Sequence, residues 1–347
     1  MSGSFYDILA LYDYQFPPEL IAQAPANPRD SAKLLVCDRE SGQVTDAVFR
    51  DIGKFLPADS VLVLNETKVV PAKLELTRAT GGKVSALSLG VRSDGVMRAL
   101  ANRKLKMGEF LTMDGDRGFT VVSDQQKEWL LRPSFPITEL TSMLERHGHM
   151  PLPPYIKHTP LSPEELRREY QTVFAHNPGS IAAPTASLHF TDELLSQLQQ
   201  QGIHIIKVTL HVHLGTFAPL TEEQWAAGRL HTEEYIIDPH SISALQEAKK
   251  QGRKIIAVGT TVVRTLESAS DENGIITRPS GTTDLFIKEG YRFKVVDALI
   301  TNFHVPKSSL LMLVSAFAGR ETIIDLYRHA IADRYRVFSF GDAMLIL

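Results

Sequence analysis

Residues 179–212 read GSIAAPTASLHFTDELLSQLQQQGIHIIKVTLHV, and this stretch sets the fold class of the 347-residue chain. Its small-residue run permits close backbone approach and feeds a helix start. Thr191 is placed to cap that helix, and Asp192 and Glu193 suit the positive end of its dipole. Gly202 closes the helix, and 203–212 alternates as a strand, with Ile206, Val208, Leu210 and Val212 toward a core and Lys207, Thr209 and His211 on the other face, which His213 extends.

The same helix-then-strand rhythm extends toward the C-terminus. Ser241 opens a helix that Gly252 closes, and 254–258 is the following strand. Further strands are predicted at 293–300 and 335–340, and helices at 309–318, closed by Gly319, and at 321–334. Toward the N-terminus, Pro17-Pro18-Glu19-Leu20 reads as a helix start, 33–37 and 61–64 as buried strands, and 1–10 as a loosely held extension. Such alternation implies a mainly parallel sheet or an incomplete β/α barrel.

Between 69 and 132 the pattern changes to short alternating runs parted by Gly81-Gly82, Ser93-Asp94-Gly95, Met107-Gly108, Asp114-Gly115-Asp116 and Ser123-Asp124. Six or so strands without a helix predict a small antiparallel barrel or sandwich. A helix at 138–147 and the proline-rich joint at 150–155 follow. The fold class is therefore α/β, a larger barrel-like α/β domain interrupted by a smaller antiparallel β-barrel domain. We set the boundaries at 1–68 and 149–347 for a discontinuous catalytic domain and 69–148 for the insert.

Hydrophobic content of 43% and charged content of 22% describe a chain able to bury a sizeable core. No apolar run reaches membrane-spanning length and the first residues lack the order of a signal peptide, so the expected location is cytoplasmic. Cys37 is the only cysteine, which excludes an internal disulfide and reads as a small core residue. A net charge of −3 gives no global signal for nucleic acid. A local one exists: residues 65–110 hold nine basic side chains (Lys68, Lys73, Arg78, Lys83, Arg92, Arg98, Arg103, Lys104, Lys106) against four acids (Glu66, Glu75, Asp94, Glu109). That excess reads either as a phosphate-binding surface or as a solvated barrel face.

Polar, small-residue segments fall just beyond the predicted strands: His211 to Thr216, Gly259-Thr260-Thr261, Thr301 to His304, and Gly341-Asp342. Loops at the carboxyl ends of parallel strands line ligand crevices, so these segments should converge on one rim. Gly259 permits a close turn into a helix whose free amides suit a carboxylate or a sugar hydroxyl; the plain alternative is an ordinary strand-to-helix turn. His189 is a candidate acid or base, or else a packed, locally bonded histidine. His211 and His213, joined by His189 and His231, offer a metal-dependent hydrolase as a second function class, although no carboxylate stands at a diagnostic spacing.

Long ordered blocks carry a resemblance: DYQFPPELIAQAP, VLVLNETKVVPAKL, GHMPLPPYI, YQTVFA, GSIAAPTASLHFT, TLHVHLGTF, VGTTVVRTLES, ITNFHVPKSSLLMLVSAFAG and YRVFSFGDAML. Together they resemble the S-adenosylmethionine:tRNA ribosyltransferase-isomerases of queuosine biosynthesis, the QueA family, through nearly the whole chain. The resemblance implies two domains, no metal, a monomer, and tRNA as partner. It implies transfer and isomerisation of the ribosyl part of S-adenosylmethionine onto 7-aminomethyl-7-deazaguanine at the tRNA wobble position. Epoxyqueuosine forms and adenine and methionine leave. Such chemistry begins with removal of a proton from the donor's 5′-carbon beside the sulfonium, and it requires a base and an acid for adenine.

Within that frame His189 and His211 are candidate bases, with Glu233 as orienter or alternative base. Asn65, Thr67, Thr185, Gly259, Thr260, Thr261, Arg264, Asn302, His304 and Lys307 are candidates to position S-adenosylmethionine. Lys73, Arg103, Lys104 and Lys106 are candidates for RNA phosphates. Against the family pattern, His213 and Ser187 stand where glycine is usual, Leu230 where methionine is, and Lys33, Lys68 and Lys73 where arginine is. These departures leave a same-family enzyme with altered RNA or base substrate as an alternative.

Overall fold

A computed structural model describes residues 4–125, 128–213 and 219–347. The chain opens with helix α1 (Phe5–Ala10), whose capping box joins Ser4 and Asp7 and whose Phe5 and Ile8 are buried. The expected loose extension is thus a docked helix, because two apolar side chains one turn apart find the core. Pro17-Pro18-Glu19-Leu20 makes only a single 3-10 turn over Pro18–Leu20.

Strands β1 (Lys33–Cys37), β2 (Val44–Val48) and β3 (Val61–Asn65) follow, then the short β4 (Thr67–Val69). Next come β5 (Lys73–Arg78), β6 (Lys83–Val91), β7 (Met97–Ala101), β8 (Phe110–Asp114), β9 (Arg117–Gln125) and β10 (Glu128–Pro133). These six close into an antiparallel barrel in the order β10-β7-β6-β5-β8-β9. Alternate residues fill its interior, among them Leu74, Leu76, Val84, Ala86, Met97, Ala99, Phe119 and Val121. Helix α2 (Leu140–His147) adds Leu140, Met143 and Leu144 to that core.

After the joint come α3 (Pro163–Glu169), β11 (Asn177–Ser180), α4 (Asp192–Gln200), β12 (His204–Leu210), α5 (Glu222–Ala227) and β13 (Arg229–Ile236). Then follow α6 (Pro239–Lys250), β14 (Ile255–Val258), α7 (Thr260–Ala269), β15 (Ser280–Leu285), β16 (Ala298–Asn302), α8 (Ser309–Ala318), α9 (Arg320–Ala332) and β17 (Ala343–Ile346). Thr191 caps α4 by accepting from the Leu194 amide. The cap of α6 is Asp238, whose carboxylate accepts from the His240 and Ser241 amides, so the helix begins before Ser241. The strand expected at 293–300 is confined to Ala298–Asn302.

Nine strands form one sheet, β15-β13-β12-β3-β14-β16-β17-β1-β2, with β15 and β2 at its edges. The sheet is mixed: β12, β3, β14 and β16 run parallel, whereas β17 is antiparallel to β16. Period-two alternation divides its side chains between two cores. Leu35, Val63, Val208, Ala257, Leu299 and Met344 pack under α7, α8 and α9, and Leu34, Leu62, Leu64, Ile256, Ile300 and Leu345 pack on the face covered by Phe49, Phe190 and α4. Cys37 is buried among the first set.

The last strand lies at Ala343–Ile346 and not at 335–340. Residues 335–340 instead reach back toward the N-terminal segment, with Val337 bridged to Ile21. Gly341-Asp342 therefore precedes the last strand. It still reaches the predicted rim, because the antiparallel β17 pairs Ala343 with Asn302 at the end of β16. No described helix is long and apolar enough to cross a membrane.

Candidate functional site

The carboxyl ends of β3, β12, β14 and β16 lie along one edge of the sheet. Residues 177–186 run across that edge and are stitched to β12. The Val212 amide donates to Ser180 Oγ at 2.8 Å, and the Ile181 amide donates to the Val212 carbonyl at 2.9 Å. Residues 179–186 thereby become a wall with a cavity on one side and a cleft on the other.

The cavity, of about 260 Å3, is lined by Ala183, Pro184, Thr185 and Ala186 from the wall, Val212, the α7 entrance Gly259-Thr260-Thr261, and Thr301 to Ser308. Leu9, Tyr155, Leu220, Phe338 and Ser339 complete its mostly apolar surface. Gly259 has φ of +90°, a conformation that favours glycine, and no side chain caps α7, which leaves its N-terminal end open to a ligand. Asn302 ties the lining together: Thr185 Oγ1 donates to Asn302 Oδ1 at 2.9 Å, and Asn302 Nδ2 meets His189 Nε2 at 3.3 Å. No carboxylate is among the described lining residues.

Seven of the ten proposed donor-site residues meet here: Thr185, Gly259, Thr260, Thr261, Asn302, His304 and Lys307. The other three do not line the cavity. Asn65 is buried and fastens strand ends, bonding the Leu210 backbone through both side-chain atoms at 3.0 Å and reaching Thr261 Oγ1 at 3.4 Å. Thr67 bonds His211. Arg264 is buried, pairs with Glu233, and donates to the Leu285 and Thr283 carbonyls. Lys307 is ion-paired with Asp13 at 2.7 Å.

His189 sits behind Asn302 with its ring 4.9 Å from that of Phe49. Burial, then the nearby Arg336 and Arg29, push its pKa down to about 3. Burial likewise takes His304 to about 3, and its ring contacts Thr301 Oγ1 and the Tyr327 hydroxyl. Both imidazoles are neutral at pH 7. Ser187 is fully buried and its hydroxyl has no hydrogen-bond partner among the described residues.

The cleft lies between the barrel and the sheet edge. Val70, Ala72, Ser88, Gly90, Val91 and Arg98 form the barrel side, and Pro178, Gly179, Ile181, His211 and His213 the opposite side, with Lys68, Arg167 and His176 adding positive or titratable groups. Strand alternation explains the division: Val212 enters the cavity while His211 and His213 face the cleft. His211 Nδ1 is 2.8 Å from Thr67 Oγ1, and burial lowers its pKa, opposed by Glu234 and aided by His213.

Glu233 turns away from His211, toward Arg264 and the His213 amide at 3.1 Å; the acid that acts on His211 is its neighbour Glu234. His231 is exposed on β13. The histidines of the hydrolase alternative therefore do not assemble: among the described residues, the side chains grouped closely enough for a metal are Asp46, His329 and Asp333 at the surface. Lys73 is exposed beside the cleft, its backbone paired with His149. Arg103, Lys104 and Lys106 are exposed on the loop after β7, which Arg78 holds through the Lys104 carbonyl near the opposite end of β5. Leu214, Gly215 and Thr216 lie outside the described residues.

Sequence reading missed Leu9, Tyr155, Phe338 and Ser339 in the cavity and Arg167 in the cleft, and it named Arg98 only as one of the basic side chains of 65–110. Tyr155 and Ser339 share a hydrogen bond of 2.7 Å across 184 residues, a pairing that no local pattern announces.

The chain matches the queuosine biosynthesis protein family over residues 9–346. It is 46% identical over 345 residues to an S-adenosylmethionine:tRNA ribosyltransferase-isomerase of Moorella thermoacetica, covering 97% of this chain and 98% of that one. A protein of the same name from Rubrobacter xylanophilus is 47% identical, covering 96% of each chain. The crystal structure of an S-adenosylmethionine tRNA ribosyltransferase from Thermotoga maritima is similar with a TM-score of 0.55 and 33% identity, over 97% of this chain and 100% of that one.

Proposed function

Because the chain belongs to the queuosine biosynthesis protein family, we propose that its cavity binds S-adenosylmethionine and its cleft receives the tRNA nucleotide to be modified. The protein is an S-adenosylmethionine:tRNA ribosyltransferase-isomerase, a transferase that modifies tRNA in queuosine biosynthesis. The acceptor is 7-aminomethyl-7-deazaguanine at the wobble position and the product epoxyqueuosine, with adenine and methionine released.

One observation supports the placement: a single wall, residues 179–186, faces a small, mostly apolar cavity on one side and a larger, more polar cleft, bordered by Lys68, Arg98 and Arg167 and by Glu145 and Glu234, on the other. The cavity suits the donor. The α7 entrance offers amides to the methionine carboxylate. Thr185 and Asn302, oriented by His189, offer hydrogen-bonding groups to ribose or adenine, and Tyr155 and Phe338 give apolar cover. Lys68, Arg98 and Arg167 suit phosphates around the acceptor. Lys73 extends that surface, and Arg103, Lys104 and Lys106 are outer contacts for RNA farther along. A metal-free reaction, a monomeric working form and a cytoplasmic location belong to the same proposal.

Incubating the protein with S-adenosylmethionine and tRNA carrying the deazaguanine precursor tests it. Adenine release together with the modified nucleoside is the expected result. A folded protein that yields neither overturns it.

A further inference from the structure

We propose that the buried Thr67 hydroxyl holds His211 in the neutral form with its hydrogen on Nε2, making the imidazole a hydrogen-bond donor that reads the ring carbonyl oxygen of the acceptor base. This rests on the cleft being the acceptor site.

The direction of one hydrogen bond decides the tautomer. Thr67 is fully buried, and His211 Nδ1, at 2.8 Å, is the partner of its hydroxyl among the described residues. If Nδ1 carried the hydrogen, the hydroxyl hydrogen would have no acceptor, at a cost of about 1–3 kcal/mol for an unmet buried donor. The hydroxyl therefore donates to Nδ1, and the neutral ring bears its hydrogen on Nε2. Protonating Nδ1 would turn the hydroxyl into an acceptor and leave its own hydrogen unmet, which acts in the same direction as the burial that lowers the pKa of this residue.

The ring is also fixed in place. A side chain on Gly179 would lie 2.9–3.0 Å from three of its atoms, so the imidazole packs directly over that glycine. The His211 amide donates to the Glu234 carbonyl at 2.9 Å. The Thr67 amide is held in turn by Asn65 Oδ1 at 3.2 Å. Nε2 has no hydrogen-bond partner among the described residues, and His211 lines the cleft.

A group fixed in this way seeks an acceptor. A guanine-type base offers O6 and N7 on its major-groove edge, and a 7-deaza ring replaces N7 with carbon, leaving the six-position oxygen as the acceptor on that edge. With Nε2 already protonated and the Nδ1 lone pair engaged by the buried Thr67 hydroxyl, His211 presents no free basic nitrogen to the cleft. It selects the base, and Thr67 is a positioning residue.

Nitrogen NMR of the full chain labelled at histidine, with His211→Gln to assign the signal, reads the tautomer without substrate. Nε2 should carry the hydrogen in the wild type and in Thr67→Ser, and lose that preference in Thr67→Val. A hydrogen on Nδ1 in the wild type, or no change in Thr67→Val, overturns the tautomer.

Kinetics then read the contact, using precursor tRNA and the same tRNA lacking the six-position oxygen. His211→Phe should raise KM for the normal acceptor about 10-fold, the scale of one hydrogen bond, with little further effect on the deoxygenated acceptor. His211→Gln, which keeps an N–H donor, should recover part of the loss. An equal penalty on both acceptors overturns the contact. No turnover by the wild type on either tRNA overturns the function itself, while the NMR result stands apart from it.

Discussion

The cavity and the cleft share a wall but differ in how their polar groups are satisfied. In the cavity, Thr185, Asn302 and His189 bond one another, Tyr155 bonds Ser339, and Lys307 is neutralised by Asp13. In the cleft, Arg98 pairs with Glu128 and Arg167 donates to the Glu145 and Gly148 carbonyls, but His211 has one nitrogen held and one without a described partner. The cavity's network fixes a small, mostly apolar shape for a small molecule. The larger cleft leaves His211 with capacity for a partner that arrives with its own acceptor.

The Arg264–Glu233 pair lies beneath both regions, since Arg264 is on α7, which opens to the cavity, and Glu233 accepts from the His213 amide on the cleft side. Arg264→Met leaves a buried carboxylate without its cation. We expect a loss of about 3–5 kcal/mol in urea unfolding, partly restored by adding Glu233→Gln. If binding of both substrates survives at full strength in the folded Arg264→Met protein, the two regions do not share this foundation.

Acid should act first from the cavity side. His189 and His304 titrate near 3 in the folded chain because they are buried, against an ordinary value of 6.5. Between those values the unfolded state binds more protons, so stability is complete above the ordinary value and declines as pH falls. Each imidazole contributes about 1.4 kcal/mol per pH unit, or about 2 kcal/mol each at pH 5. His304→Gln should roughly halve that dependence in unfolding measured at pH 7 and pH 5. An unchanged slope would show that His304 is not buried neutral.

Two substitutions should separate the regions. Asn302→Ala leaves Thr185 and His189 without their partner and should weaken S-adenosylmethionine binding about 10-fold in calorimetry, with tRNA affinity kept. Gly179→Ala places a methyl group against the His211 ring at a φ of +149° and should do the reverse, raising KM for tRNA by a similar factor. If either variant disturbs both ligands equally, the wall does not divide donor from acceptor.

Much of this division was legible before the structure. The strand-end glycine and threonines of 259–261, and Asn302 and His304, follow from the rule that ligands gather at the carboxyl ends of parallel strands, and they meet at one cavity. Period-two alternation separated Val212 from His211 and His213. The sequence was silent where distant segments supply the site: Leu9 from a helix read as a loose extension, and Phe338 and Ser339 from a segment read as a strand. Residues 335–340 are apolar and alternate, but their pairing partner is the N-terminal segment near Ile21, and no local pattern encodes a contact across more than 300 residues. Glu233 was misjudged for a related reason. No strand was read at 229–236, and nothing near Glu233 in the sequence announces Arg264, which claims the carboxylate.

The smallest effects should come from the surface cations, and they bear on how far the cleft extends. Arg98 lines the cleft and is held by a two-point contact from Nε and Nη2 to Glu128 at 2.9 and 2.8 Å, which leaves Nη1 to meet a phosphate. Arg98→Ala should lower the slope of log affinity against log salt by about 0.7, the value for one phosphate on a single strand. Lys73 and the loop at 103–106 lie toward opposite ends of β5, roughly 17 Å apart at about 3.3 Å per residue. RNA threaded through the cleft reaches that loop only if it continues along the barrel. The Arg103→Ala, Lys104→Ala double variant should therefore change the slope less per removed charge than Arg98→Ala does. Full tRNA affinity and an unaltered slope in the double variant would end the RNA path at the cleft. A drop near 1.4, two such phosphates, would extend it along the whole barrel strand.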